Sequence, residues 1–182
     1  MRRLLKAALV LVVCVGASGA QAARDSQTRA RELASRFDKD KHKVKERRGV
    51  RVEVFVEMRG EPAARKAPSD YAGTYESEPG FAVTLRVGAD GRAEGEGSEP
   101  SPAGPRTFTL RDARVEGALL AGTKVYDDGS TERLEGVFLD LNVRTAPGDR
   151  GTTLFGLGLV FDPPKSGAGG FQMEKLFYER KR

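Results

Sequence analysis

The chain has 182 residues and a formal net charge of +5, set by 31 lysine and arginine residues against 26 aspartate and glutamate residues. It has one cysteine and one histidine, which excludes an internal disulfide and leaves little material for thiol chemistry or a Cys/His metal site. The positive excess is smaller than that of a typical nucleic-acid-binding domain, so we do not expect a nucleic-acid partner.

The first 22 residues have the three parts of a secretory signal peptide. Arg2 and Arg3 give a positive start, an apolar run follows over residues 7–15, and Ala20-Gln21-Ala22 supplies the small side chains that a signal peptidase accepts. The apolar run is shorter than the roughly 20 residues that span a bilayer. We therefore expect cleavage between Ala22 and Ala23, and a periplasmic or extracellular location, rather than a retained anchor.

Removal of residues 1–22 changes the charge and the redox chemistry of the chain. Three cations leave with this segment, so 28 lysine and arginine residues remain against 26 acidic ones and the net charge falls to +2. Cys14 leaves as well. A lipoprotein signal that ends at Cys14 is the alternative, but Val13 is bulkier than the small residue that usually precedes an acylated cysteine. The processed chain is expected to be thiol-free and long enough for one core.

Residues 23–49 are predicted to form a basic amphipathic helix. Ala30, Leu33, Ala34 and Phe37 recur at the spacing of one helical face, and Gly49 is a typical helix stop. Cations in the last turns suit the negative end of the helix dipole. They are either an ordinary solvated helix end or a contact for an anionic surface such as lipid head groups, glycans or nucleic acid. The residues of this predicted contact are Lys41, Lys43, Lys45, Arg47 and Arg48.

Residues 50–70 predict one strand followed by a linker. Val50, Val52, Val54 and Val56 alternate with charged or aromatic residues, as in a strand with one buried face. Residues 59–70 are rich in proline, alanine and charged residues, which is typical of a linker. We therefore place a boundary near residue 70.

Residues 71–182 predict an antiparallel β domain. Short alternating segments are separated by turn signals such as Asp90-Gly91 and Asp128-Gly129, and no helical pattern interrupts them. The fold class is therefore mainly β: a meander of about eight to ten strands, closed into a barrel or sandwich and preceded by one N-terminal helix. Most predicted strands are too short, and their outward faces too charged, for an outer-membrane barrel.

The segment Tyr71-Ala72-Gly73-Thr74-Tyr75, with the alternating strand Phe81 to Val87 and a glycine-containing turn after it, resembles the start of a known β domain. It is similar to the small lipocalin-like domain appended to some bacterial serine hydrolases, over about 17 residues. The resemblance implies a lipocalin-like barrel in which the two tyrosines lie on one side and close one end. It implies no activity, because the catalytic serine of those proteins lies in a separate domain. The Gly-x-Trp motif of lipocalins is missing, since the chain has no tryptophan.

No catalytic, cofactor or metal site is predicted. His42 lies in a charged segment and is expected to be exposed, and no nucleophile elbow or phosphate-binding loop occurs. Asp140 interrupts an apolar strand and is the strongest catalytic candidate. Alternation places it opposite the face of Leu139 and Leu141, on the predicted solvent side. A glycosidase-type mechanism also needs a second carboxyl group.

We therefore expect an exported, non-enzymatic β-barrel domain that binds a small ligand or an envelope partner. A closed barrel of about eight strands either holds one small apolar ligand or is filled by its own side chains. Two alternatives remain. One is a carboxylate-dependent hydrolase centred on Asp140, and the other is an interaction protein that uses the basic segment 39–48 on an anionic surface.

Overall fold

A computed structural model describes residues 21–48, 50–77, 80–101, 103–161 and 174–181. Residues 1–20 of the predicted signal peptide lie outside this part, and residues 21–22 are helical. The described elements are helix α1 (21–35), β1 (Lys39–Arg47), β2 (Val50–Pro62), a 3-10 helix (Pro68–Tyr71), β3 (Gly73–Ser77), β4 (Phe81–Val87), β5 (Arg92–Glu99), β6 (Arg106–Glu116), β7 (Leu119–Tyr126), β8 (Thr131–Arg144), β9 (Thr152–Val160) and β10 (Lys175–Arg180).

Strands β3 to β10 form a closed antiparallel barrel of eight strands. Each strand pairs with the next one in the chain, and β10 pairs with β3 to close the ring. The predicted fold class, a mainly β antiparallel meander closed behind one N-terminal helix, is confirmed. Strands β6 and β7 are joined by a tight hairpin turn at residues 117–118. Gly117 has a φ of +61° in that turn, a conformation that glycine adopts without strain.

The predicted helix is correct up to residue 35 and wrong beyond it. Lys39–Arg47 is a strand that pairs along its whole length with the first nine residues of β2. The apolar stripe ends at Phe37, so a longer helix would have no apolar face to bury. The segment does alternate with period two, since every second residue from Lys39 to Arg47 is basic, and the valine-rich β2 supplies a full ladder of hydrogen bonds.

The predicted linker over residues 59–70 begins inside a strand. The second half of β2, Glu57–Pro62, pairs with Leu139–Arg144 of β8, next to the half of β8 that pairs with β7. Ala63 is buried, and its N–H donates a hydrogen bond of 2.8 Å to the carbonyl of Phe138. Residues 57–63 are therefore tied to the barrel.

The protein has one apolar core inside the barrel and a second one outside it. Phe138 of β8 belongs to the inner core, whereas Val137, Leu139 and Leu141 face outward and are covered by α1. The predicted apolar stripe is buried: Ala30, Leu33 and Ala34 of α1 and Phe37 in the turn after it are at most 4 % exposed. The predicted solvent side of β8 is reversed, because α1 covers the leucine face and Asp140 has the same orientation as Phe138.

Candidate functional site

The strands β1 and β2 form a ribbon, here called the arm, that comprises Lys39–Met58 without Gly49. Nine residue pairs join the two strands, from Lys39 opposite Met58 to Arg47 opposite Val50. The part of β2 that precedes Glu57 pairs with β1 and with no other described strand. The arm therefore extends beyond the barrel as a two-stranded ribbon.

The two faces of the arm differ sharply in charge. Directly opposite residues of an antiparallel pair lie on the same face. One face, here called the lysine face, therefore carries the exposed side chains of Lys39, Lys41, Lys43 and Lys45 beside the valine row Val50, Val52, Val54 and Val56. The other, here called the acidic face, carries Asp40, His42, Val44, Glu46, Arg51, Glu53, Phe55 and Glu57.

Among the described residues, the ion pairs of the arm involve side chains of the acidic face. Asp40 accepts hydrogen bonds of 2.9 Å from Arg59, and Glu53 lies 2.7 Å from His42. Glu57 contacts both Arg59, at 3.3 Å, and Arg144, at 3.2 Å. None of the four lysines of the lysine face has an ion-pair partner among the described residues. The lysine face thus has four uncompensated positive charges, whereas most carboxylates behind it are partnered.

The structure places the predicted contact residues in the arm but not on a helix. Lys41, Lys43 and Lys45 lie on the lysine face, the backbone of Arg47 ends β1, and Arg48 lies in the hairpin turn with a φ of +53°. Whether these residues contact an anionic surface stays a prediction. Such a contact requires the lysines to lie on one side. They do so because alternate residues of a strand lie on the same face.

The lysines of β1 also have a structural role, because they lie on an edge strand. The outer edge of β1 has no strand partner among the described residues. Two copies joined edge to edge by a two-fold axis would place Lys43 opposite Lys43, or Lys41 opposite either Lys43 or Lys45. Lysines on an edge strand oppose such pairing between copies. This role explains charge on β1, but it does not explain the exposed valines on β2.

The barrel interior is filled by the protein's own side chains over the described residues. The inner core contains bulky groups from the 3-10 helix and from seven of the eight barrel strands, including Tyr71, Tyr75, Val83, Leu85, Phe108, Leu120, Phe138, Leu157, Leu159 and Tyr178. Four depressions lined by described residues open to solvent, among them one between α1 and β8 that is lined by arginines and by Glu132 and Glu135. This packing weighs against a small apolar ligand in the barrel.

One end of the barrel buries a polar cluster that sequence reasoning missed. Lys124 Nζ lies 2.5 Å from Glu99 Oε2, and the Tyr126 hydroxyl donates to Glu99 Oε1 at 2.5 Å and is 2.7 Å from Glu132 Oε2. The Lys124 side chain is 2 % exposed and also lies over the ring of Phe108. Lys124 shares the inward face of β7 with Leu120 and Tyr126, because alternate residues of a strand lie on the same face. This alternation was the only sign in the sequence that Lys124 is buried. Glu132 lies opposite Lys124 on the neighbouring strand β8, whereas Glu99 comes from β5, which is not adjacent to β7.

The two tyrosines of the Tyr-x-Gly-x-Tyr segment are both buried, although Tyr71 ends the 3-10 helix and only Tyr75 lies in a strand. The Tyr75 hydroxyl donates to the Tyr71 carbonyl at 2.5 Å, and the Tyr71 hydroxyl donates to the Ala63 carbonyl at 2.6 Å. Both rings pack against Phe138, with centroid distances of 4.4 and 5.7 Å. The segment therefore anchors the chain inside the barrel. Its likeness to the lipocalin-like domain stays a resemblance.

We expect the tyrosines to remain un-ionised until the protein unfolds in alkali. Burial raises the pKa of Tyr75 to about 12, and it also raises the pKa of Tyr71 and of Tyr178. The pKa of Tyr126 is raised by burial and by its hydrogen bonds to Glu99 and Glu132. These four are all the tyrosines of the chain, and each is at most 4 % exposed.

The folded state holds the phenol protons more tightly than the unfolded state. Stability is therefore fully present below about pH 10 and is lost as the pH rises from about 10 towards 12, where unfolded phenols ionise and Tyr75 does not. In a pH titration, phenolate absorbance should appear in one cooperative step together with loss of the circular dichroism of the sheet. A gradual rise near pH 10, with the sheet intact, would contradict this expectation.

The candidate catalytic residue Asp140 is held in an ion pair. Its side chain is 35 % exposed and lies 3.1 Å from Arg65, whose guanidinium also lies over the ring of Phe155. Glu61 is its cross-strand neighbour and is exposed. Neither acid lines the four depressions described above, although Arg65 lines one of them. The arrangement is therefore an ion pair beside an exposed glutamate.

His42 is exposed, as predicted, with 56 % of its side chain accessible, but it lies in a strand and not in a helix. Across the described ranges, no three histidine, cysteine, aspartate or glutamate side chains come together as a metal site requires. In the same part of the chain, no helix has the length and apolar character needed to cross a bilayer. No family model, curated protein or solved structure matches the chain.

Proposed function

We propose that the protein is an exported, non-enzymatic binding protein that uses the lysine face of the arm to hold an anionic partner in the cell envelope. The observation that carries the proposal is the charge separation across the ribbon. Four lysines without ion-pair partners among the described residues lie on one face, whereas Asp40, Glu53 and Glu57 behind them each lie within ion-pair distance of an arginine. Such an arrangement attracts an anionic surface in one orientation.

The barrel supports this role as a rigid base. Its interior is closed by its own side chains, and the arm continues into it through the pairing of β2 with β8. Export fits the predicted signal peptide, and cleavage between Ala22 and Ala23 leaves the buried stripe of α1 intact, because that stripe begins at Ala30. The hydrolase alternative has less support, since Asp140 is engaged by Arg65.

Binding to a soluble polyanion tests the proposal with two variants of equal net charge. Lys43→Gln removes a cation from the lysine face, and Arg51→Gln removes one from the acidic face of the same ribbon. With dextran sulfate at low ionic strength, Lys43→Gln should weaken binding several-fold and Arg51→Gln should not weaken it. The measurement is a titration by isothermal calorimetry, repeated at higher salt.

Equal losses in the two variants would mean that only net charge matters and would count against a binding face. Unchanged binding in Lys43→Gln and in a combined Lys41→Gln/Lys43→Gln variant would refute the proposal outright. Circular dichroism of each variant checks that the ribbon and the barrel remain folded.

A further inference from the structure

We infer that the partner of the lysine face is an anionic lipid bilayer. The valines in the half of the arm nearest the hairpin turn insert into the head-group layer of this bilayer. This inference rests on the proposed function and adds the chemical class of the partner. It is carried by a second property of the arm, its exposed apolar side chains, which a purely electrostatic partner leaves unexplained.

The exposed valines are concentrated on the arm. Among the described residues, the exposed large hydrophobic side chains are Val44, Val50, Val52 and Val54, and all four belong to it. Three of them lie on the lysine face. A group of exposed apolar side chains beside cations is typical of surfaces that enter the membrane interface, where the apolar groups leave water and the cations meet lipid phosphates.

Exposure along the valine row increases towards the hairpin turn. Val54 is 38 % exposed, Val52 is 50 % and Val50 is 60 %, whereas Met58 at the base packs against the outer core. The tip half is therefore the part that is free to enter a partner. Each of these valines is in register with a basic residue of β1, as Val54 is with Lys43.

The side chains of the lysines and of the valine row are both suited to the head-group layer of a lipid bilayer. Lysine has a long apolar stem and a charged end, so its stem follows the valines while its ammonium group stays at the phosphate level. Valine is short, and a shallow insertion removes it from water. Each lysine near an anionic bilayer contributes about 1 kcal/mol, or about five-fold in affinity, and this contribution weakens with salt. The charges of the acidic face are largely compensated by neighbouring arginines, so only the lysine face is attracted and the orientation is fixed.

A partner strand that adds to the open edge of β1 is the competing occupant. It would form backbone hydrogen bonds with β1 and contact the lysine side chains, and it would leave the valines of β2 in water. The valine row therefore favours the bilayer, and substitutions in that row separate the two partners.

The experiment measures the binding of the protein, as its own host processes it, to vesicles of phosphatidylcholine alone or mixed with phosphatidylglycerol. The test variant is Val52→Thr/Val54→Thr, which keeps the β-branched shape and removes apolar surface. Its matched control is Val44→Thr on the acidic face, which is 48 % exposed in the folded protein. We expect binding only to the mixed vesicles, a loss of roughly ten-fold in the test variant, and no loss in the control.

A fluorescence measurement reports insertion directly. The chain has no tryptophan, so Val52→Trp and Val44→Trp each give a single reporter on one face of the arm. On binding to the mixed vesicles, emission should shift to the blue for Val52→Trp and should stay unchanged for Val44→Trp.

The outcomes separate the inference from the proposed function. If Lys43→Gln loses affinity for dextran sulfate and for the mixed vesicles while Val52→Thr/Val54→Thr binds both as the unmodified protein does, the bilayer inference fails and the anionic partner is a soluble polymer or an acidic strand. If Lys43→Gln and the combined Lys41→Gln/Lys43→Gln variant bind both as the unmodified protein does, both proposals fail.

Discussion

Lys124→Met is expected to lower the free energy of unfolding by about 3–5 kcal/mol, because it removes the cation that is paired with a buried carboxylate. The Lys124 and Glu99 side chains are 2 % and 8 % exposed, and their charged atoms lie 2.5 Å apart. Without the ammonium group, Glu99 keeps the hydrogen bond from Tyr126 but loses its counter-charge inside the barrel. The measurement is urea unfolding followed by circular dichroism.

The reverse substitution and the double variant make the expectation specific to the pair. Glu99→Gln leaves a buried ammonium group without its partner charge and should also be strongly destabilising. In Lys124→Met/Glu99→Gln no unpaired charge of this pair remains in the core, so the loss should be smaller than the sum of the two single losses. A double-mutant cycle with no coupling energy would show that the two groups act independently.

An exposed ion pair provides the matched control. Lys181 lies 2.7 Å from Glu76, with side-chain exposures of 60 % and 41 %. Lys181→Met is therefore the same substitution in a pair that water screens, and it should leave the urea midpoint nearly unchanged. A similar midpoint shift in Lys124→Met and Lys181→Met would contradict the assignment of the large effect to burial.

Several features of the fold follow from the local pattern of the sequence. The spacing of Ala30, Leu33, Ala34 and Phe37 identifies the buried face of α1, and the alternation of valines from Val50 identifies β2. The closed barrel follows from short alternating segments joined by turn signals, because such strands leave no edge exposed only when they close. These features depend on neighbours in the chain, which a single sequence displays.

Other features depend on contacts between distant segments. The strand Lys39–Arg47 was predicted as helix because its cations suit a helix end, although its basic residues recur with period two. Pairing with the valine-rich strand β2 makes this segment a strand. The outward direction of Leu139 and Leu141 depends on the docking of α1 about a hundred residues earlier in the chain. The buried partner of Lys124 is Glu99 on β5, which is not adjacent to β7 in the sheet, so spacing could not reveal it.

The arm as a candidate site was predicted in part. The basic residues 41–48 were identified from composition, but a helix would have spread them around its axis. Only the strand places Lys41, Lys43 and Lys45 on one face, and only the register with β2 places the valines beside them. The alternation of charge and the alternation of valine were both visible in the sequence. Their shared face was not, because it depends on the pairing of the two strands.

Gly60→Ala is expected to displace α1 from the barrel and to lower the free energy of unfolding by about 2–3 kcal/mol. An added Cβ at this position would lie 2.5 Å from the carbonyl oxygen of Ala34 and 3.1 Å from a methyl group of Leu139. The first of these is backbone, so no side-chain rotation relieves the contact, and the end of α1 has to move. Gly88→Ala is the matched control, since its Cβ would approach closely only the side chain of Asp90.

Displacement of α1 has a consequence that stability alone does not report. The helix covers Val137, Leu139 and Leu141, each at most 2 % exposed, and Arg29 holds it to Glu135 through a bidentate pair. Once the end of α1 moves, this outer apolar face meets water. Gly60→Ala should therefore bind a hydrophobic dye and become sensitive to proteolysis within residues 23–38, whereas Gly88→Ala should do neither. If Gly60→Ala remains dye-negative, resistant and as stable as the unmodified protein, close packing of α1 on β2 does not hold the helix.

Because β1 begins four residues after α1 ends, a loosened helix also frees the base of the arm. The same variant should then bind anionic vesicles less tightly, although it retains every lysine and valine of the lysine face.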